Sequence, residues 1–257
     1  MLHKSFIHVQ GIGYRTECRL WGQGADCWQT YLSDPTRFRV PRSRRALMLD
    51  TVASSPRALA RGDYRFFQQR LPQREHWRAL TAFPGQIAYL DIETDGGMDF
   101  DNVTVIGLYN GRSLRQFVRG DDLLHFEEAL DEVSVLVTFS GNGFDLPVLR
   151  RVFPRMRFDQ LHLDLCPTLR RLGLCGGLKF IERQLGINRS PETLGLSGFD
   201  AVRLWREWRR GSQEARELLL AYNAEDVMNM IPLARFAYQR LEEKAEWDTA
   251  RERWTRD

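Results

Sequence analysis

Hydrophobic positions divide the chain near residue 85. Before it, apolar residues recur at helical spacing. After Gly11-Ile12-Gly13 a helical pattern opens with Cys18, Leu20 and Trp21 inward, and residues 56–80 read as helix, with Pro72 starting a new one at a favoured first-turn position. Tyr64, Phe66, Phe67 and Trp77 are packing residues of this stretch. Phe83-Pro84-Gly85 is turn chemistry and marks a boundary. Beyond it the apolar runs become short and continuous. Ile87-Ala88-Tyr89-Leu90 runs into Asp91-Ile92-Glu93, Val103–Tyr109 is a second strand and Ser113–Val118 a third. Their short connections, rich in Gly and Asn, make them an antiparallel meander. Asp122–Asp131 reads as helix, and Val133–Phe139 as an apolar strand of the kind buried mid-sheet. Residues 145–153 read as helix and Leu161–Leu163 as a short strand, after which the chain is nearly all helical. The expectation is an α/β domain over 85–241, a mixed sheet flanked by helices. A small, mainly helical N-terminal region (1–84) precedes it, and a charged C-terminal helix or tail (242–257) follows.

Charge sharpens this division. The net charge of +3 over 257 residues hides an N-terminal region with 14 Lys/Arg against 6 Asp/Glu, or +8, and a remainder with 23 against 28, or −5. Only Lys4, Lys179 and Lys244 are lysine, so 34 of the 37 basic residues are arginine. Guanidinium forks suit phosphate, and genomic base composition produces the same bias. Residues 36–45, TRFRVPRSRR, include Arg42, Arg44 and Arg45, either a solvated face or a contact for nucleic acid. The turn at Gly11 and Gly13 exposes backbone N–H groups at a helix N-terminus, which can hold a phosphate. It resembles one half of a helix-hairpin-helix, although the segment before Gly11 is too short for a good first helix and only one copy is present. The other reading is a packing module that uses the turn.

Other classes are excluded. No apolar run reaches the roughly 18 residues of a membrane span, and MLHKSFIHVQ lacks the apolar core of a signal peptide. Cys18, Cys27, Cys166 and Cys175 form no CxxC pair and read as reduced thiols of a cytoplasmic protein.

Three acidic elements carry the candidate chemistry. Asp91 and Glu93 lie two apart on a strand, so both leave the same face, where like charges repel unless a divalent cation relieves them. The plainer reading is a strand running into a polar turn. Asp145 follows Ser140-Gly141-Asn142-Gly143-Phe144 and opens a helix; alone it reads as an N-cap. Tyr222 and Asp226 are four apart, on one face of a helix, a spacing common in surface pairs. Together, four carboxylates can hold two hard divalent ions through oxygen, the arrangement that clamps an in-line displacement at phosphorus.

DIET at Asp91–Thr94, FSGNGFD at Phe139–Asp145 and YNAED at Tyr222–Asp226 resemble, in order and separation, the motifs of the DEDD exonucleases of the ribonuclease H-like fold. The tyrosine four before the last aspartate marks the DEDDy branch. LHLDL at Leu161–Leu165, GGLKFIERQLGI at Gly176–Ile187, GFDAVRLW at Gly198–Trp205 and the N-terminal GIGYRTECRLW are similar to the bacterial YprB-like branch. The second motif departs from the pattern, since Ser140-Gly141 stands where Asn-Gly is common.

The resemblance implies a ribonuclease H-like sheet and a 3′–5′ exonuclease that uses two divalent ions, Mg²⁺ or Mn²⁺. Asp91, Glu93, Asp145 and Asp226 would be metal ligands, with Tyr222 orienting the attacking water. The substrate would be DNA or RNA with a single-stranded 3′ end, and the products nucleoside 5′-monophosphates. Asn142 and Lys179 join Gly11, Gly13, Arg42, Arg44 and Arg45 as candidate nucleic-acid contacts. Lys179 reads as a partner of either a phosphate or Glu182, and Asp164 as a helix cap or a support behind the acids. The alternatives are an inactive nucleic-acid-binding module and a structure-specific endonuclease on the same fold.

Overall fold

Ile87–Thr94 (β1) lies mid-sheet because its apolar run can be buried on both sides. In the computed structural model, which describes residues 1–97 and 102–254, β1 pairs antiparallel with Val103–Tyr109 (β2) and parallel with Val135–Thr138 (β4). Leu114–Val118 (β3) pairs antiparallel with β2, and Leu161–Asp164 (β5) completes the five-stranded order β3-β2-β1-β4-β5. The expected mixed sheet and meander are present. Residues 98–101 of the β1–β2 connection and 255–257 of the expected C-terminal helix or tail lie outside the described residues.

Contacts divide the chain into two compact units. The second, Gly85–Phe158 with Asp164–Arg235, holds most of the sheet. Alternate residues of β1 serve opposite faces. Ala88, Leu90 and Ile92 join a core with Ile106, Leu108, Phe117 and the apolar side of Asp145–Val152 (α6). On the other face Val105 and Val118 pack with Ala201, Leu204 and Trp205 of Gly198–Arg209 (α9) and with Leu219 and Tyr222 of Gln213–Trp254 (α10). Leu165–Arg170 (α7) and Leu178–Gln184 (α8) lie between β5 and α9 in the chain. The stretch expected as one helix over Asp122–Asp131 is a 3₁₀ turn, Leu123–His125, followed by the single α-turn Phe126–Ala129 (α5).

The first unit comprises Met1–Pro84, Asp159–Leu163 and Phe236–Asp257. Its helices are Tyr14–Gly22 (α1), Trp28–Ser33 (α2), Arg45–Ala60 (α3) and Tyr64–Gln68 (α4). α3 begins eleven residues before the expected start at 56, at the end of the arginine run, and carries Pro56 inside it. The reason is packing: Met48, Thr51, Val52, Ser55 and Ala58 form a buried helical stripe through the proline. Pro72 precedes a 3₁₀ stretch, Gln73–Ala79, and not an α-helix. At the centre Glu17 is fully buried: one oxygen accepts from the Phe6 and Ile7 amides at 2.6 and 3.2 Å, and the other from Arg78 Nη2 at 2.9 Å. Arg78 Nε donates to Glu75 at 2.9 Å, so the buried charges are paired.

Candidate metal centre

The acids gather where β1 ends. Ala88, Leu90 and Ile92 are committed to one core, so Asp91 and Glu93 emerge on the α10 side of the sheet. The β1–β2 register shifts between Glu93 and Thr94, a bulge that turns the strand end beside the acids. Because β1 and β4 are parallel, the loop after β4 rises at the same edge and leads to Asp145, the first residue of α6.

α10 brings the third element. Its Asn223, wholly buried, donates to Asp91 Oδ2 at 3.1 Å, while Gln116 on β3 donates to the Asn223 carbonyl at 3.0 Å. This approach requires a glycine opposite Asp91: a Cβ on Gly107 would lie 2.8 Å from Val227 Cγ2 and overlap Asn223. Asp226, one turn beyond Tyr222, thereby reaches the β1 acids. One carboxylate oxygen each from Asp91, Glu93 and Asp226 lies within 4.8 Å of the others.

At that separation and an effective dielectric near 20, each pair of full charges would cost about 3 kcal/mol. Three pairs approach the whole stability of a domain, about 5–15 kcal/mol. The acids therefore do not all stay charged unaided. Burial first, then repulsion from Asp226, Glu93 and Asp145, holds the Asp91 carboxyl well above the usual range. Burial and Asp226 do the same to Glu93. Burial raises Asp145 to about 7, with Asp164 and Asp226 adding to it against the opposing Asp145 and Ile92 amides. Burial also raises Asp226, although Arg189 opposes the rise. Three mutually repelling oxygen donors, two buried and one half-buried, fit a hard divalent cation, whose charge would relieve all of them. Asp145 stands outside the group of three.

Several groups support the cluster without being evident in the sequence. Arg189, after α8, donates through Nε and Nη2 to Glu182 at 2.6 and 2.7 Å, and Nη2 also donates to Asp226. Glu182 in turn accepts from Asn229 of α10 at 3.1 Å. Lys179 does not bond Glu182, which the Arg189 fork occupies; its ammonium donates to the Tyr222 hydroxyl at 2.7 Å and to the Leu196 carbonyl, over the tyrosine ring. Burial and the neighbouring Asp226, Glu93 and Asp91 raise the Tyr222 phenol far above its ordinary value, so it keeps its proton. Asn223 lay inside YNAED, where only its spacing between Tyr222 and Asp226 could have marked it. Arg189 carried no signal among 34 arginines.

Asp164 caps α7 through the Cys166 amide at 3.1 Å and accepts from the amides of Ser140 at 2.8 Å and Asn142 at 3.0 Å. It thus holds the loop before Asp145, in which Ser140 has φ of 64° and a Cβ on Gly141 would overlap Thr138. Asn142 is exposed in this loop. The remaining expected contacts lie in the first unit. Gly13 caps α1, and Gly11, at φ of 83°, leaves room for Arg44, whose Nε would stand 2.7 Å from a Cβ there. The Gly11 turn thus has a packing role, while Arg42 and Arg45 are exposed. The four cysteines are free, and among the described residues no helix is long and apolar enough to cross a membrane.

Residues 88–238 match the family described as the RNase H superfamily. Among solved structures, the family B DNA polymerase from the hyperthermophilic archaeon Pyrobaculum calidifontis is similar at 18% identity and a TM-score of 0.48, over 59% of this chain and 24% of its own. No curated protein sequence matches the chain.

Proposed function

Because this chain belongs to the RNase H superfamily, we propose that it is a metal-dependent 3′–5′ exonuclease of the DEDDy type, acting on single-stranded 3′ ends of DNA or RNA. The observation that carries this reading is the convergence of Asp91, Glu93 and Asp226 within 4.8 Å, mostly buried, with Arg189 the countercharge paired, of the three, to Asp226 alone. Asp91, Glu93, Asp145 and Asp226 would hold two divalent ions, Mg²⁺ or Mn²⁺. When bound, such ions supply charge to the phosphoryl oxygens and acidity to water.

The chain's own groups divide the remaining work. Tyr222 keeps its proton and is fixed by Lys179, so it acts as a donor that orients the attacking water and not as a general base. Asn223 and Arg189 hold Asp91 and Asp226 in place. Attack of water on phosphorus breaks the bond to the 3′ oxygen, leaving a shortened strand with a 3′ hydroxyl and releasing a nucleoside 5′-monophosphate. The exposed Arg42 and Arg45 and the Asn142 loop are offered as substrate contacts. Free thiols suit a reducing cytoplasm.

A 5′-labelled single strand should shorten progressively with Mg²⁺ or Mn²⁺, release 5′-monophosphates, and survive when Asp91 or Asp226 is replaced by alanine. A circular strand should survive intact. Cutting of the circle would favour an endonuclease, and no cleavage of DNA or RNA with either ion would overturn the reading.

A further inference from the structure

A groove of about 920 Å³ in the second unit is unexplained by the metal centre. Thr94 and Phe144 line it, each the chain neighbour of a clustered or expected acid, Glu93 and Asp145. The outer face of α9 also lines it, through Phe199, Val202, Arg203 and Arg206, with Arg210 just past the helix end. These follow helical spacing, opposite Ala201, Leu204 and Trp205, which pack in the core containing Tyr222. The face is therefore held rigidly by the core that positions the site tyrosine.

Two properties of the groove point to its occupant. Phe199 is 90% exposed and Phe144 48% exposed, an arrangement solvent alone disfavours. The Ser197–Asp200 capping box fixes the turn that presents Phe199. Beside it the arginines form a stripe about 10 Å long. Arg203 is shared with Glu207 at 2.8 Å and Asp200 at 3.6 Å. Among the described residues Arg206 and Arg210 are exposed and form no ion pair, and the one acid lining the groove, Glu207, is paired with Arg203. An apolar ring beside a row of guanidinium groups matches a chain that alternates flat bases with phosphates.

We propose that this groove seats the single strand next to the scissile bond, with Phe199 stacking on a base and Arg203, Arg206 and Arg210 holding its phosphates. This rests on the exonuclease reading for its placement. Stacking and phosphate contact are sequence-tolerant, so the groove would grip any single strand and leave the choice of bond to the acids.

The test uses the full chain and fluorescent single-stranded DNA and RNA, with binding read by anisotropy without divalent ions. Phe199→Ala should weaken binding roughly tenfold. The combined change Arg203→Ala, Arg206→Ala and Arg210→Ala should weaken it and flatten the slope of log affinity against log salt by about 2. Thermal melts should match the parent, since all four side chains are exposed. Hydrolysis of the p-nitrophenyl ester of thymidine 5′-monophosphate, which has no neighbouring nucleotide, should be unchanged. Unaltered binding by both variants overturns the proposal, as does equal weakening toward an acidic peptide. If the parent cleaves nothing yet the variants lose strand binding, the exonuclease reading fails and the groove stands.

Discussion

Glu17 in the first unit has no exposed surface, and its oxygens meet two backbone amides, a serine hydroxyl and Arg78, which Glu75 in turn holds. Asp91 and Glu93 in the second unit face Asp226 and each other, and Asn223 donates to the Asp91 side chain. Both units bury carboxylates; one satisfies them internally and the other leaves them in need of positive charge. The difference separates a structural ion network from a cluster able to take a cation: a group that binds a ligand cannot have all its bonding capacity filled by the fold.

The largest expected effect tests the satisfied side. Arg78→Met should lower stability by about 3–5 kcal/mol in denaturant titration, because it strands Glu17 in the core. Adding Glu17→Gln should recover part of the loss, and a neutral single variant would break the contrast. On the other side, Asp91→Asn should cut nuclease activity on the order of 10²–10³-fold. The same change removes a repelling charge, so the metal-free protein should melt higher than its parent. A lower melting temperature would mean the acids are stabilised in some other way.

Arg189→Gln should weaken Mn²⁺ binding about 10–100-fold, read by direct titration without substrate, since Asp226 loses the fork that orients it. Tighter binding would instead make the guanidinium a competitor for the cation's place. The smallest effects are pH slopes, at most about 1.4 kcal/mol per pH unit for each group. Asp145 is raised from 3.8 to about 7, so without metal its contribution is full below 3.8 and lost as pH rises through 7. Stabilisation by added Mg²⁺ should grow over that range. His8, buried among Trp28, Phe66 and Phe67, is lowered by burial from 6.5 to about 3, so its contribution is full above 6.5 and lost as pH falls toward 3. Hydrogen exchange should show opposite pH trends in the two units, and parallel trends would erase the distinction.

The sheet was legible because short continuous apolar runs and short polar turns are local signals, and strand geometry alone put Asp91 and Glu93 on one face. Helix limits in the first unit were less so. The helix was expected from residue 56, whereas burial of Met48 and Val52 starts α3 at Arg45 and carries it through Pro56. Of the two partners expected for Lys179, a phosphate or Glu182, the second is taken by Arg189, and Lys179 bonds Tyr222.

The sequence by itself determined the elements and the spacing of Asp91, Glu93, Asp145, Tyr222 and Asp226, since strand and helix periods convert spacing into shared faces. Only the tertiary structure decided that α10 lies close enough for Asp226 to join Asp91 and Glu93. That approach depends on the missing side chain at Gly107 and on a buried asparagine beneath it. It likewise decided that Arg189 serves the cluster and that Phe199 on α9 stands exposed beside Arg203, Arg206 and Arg210. Periodicity is a property of neighbouring residues along the chain. Charge balance and groove shape are sums over residues far apart in it, so they exist only once the chain has folded.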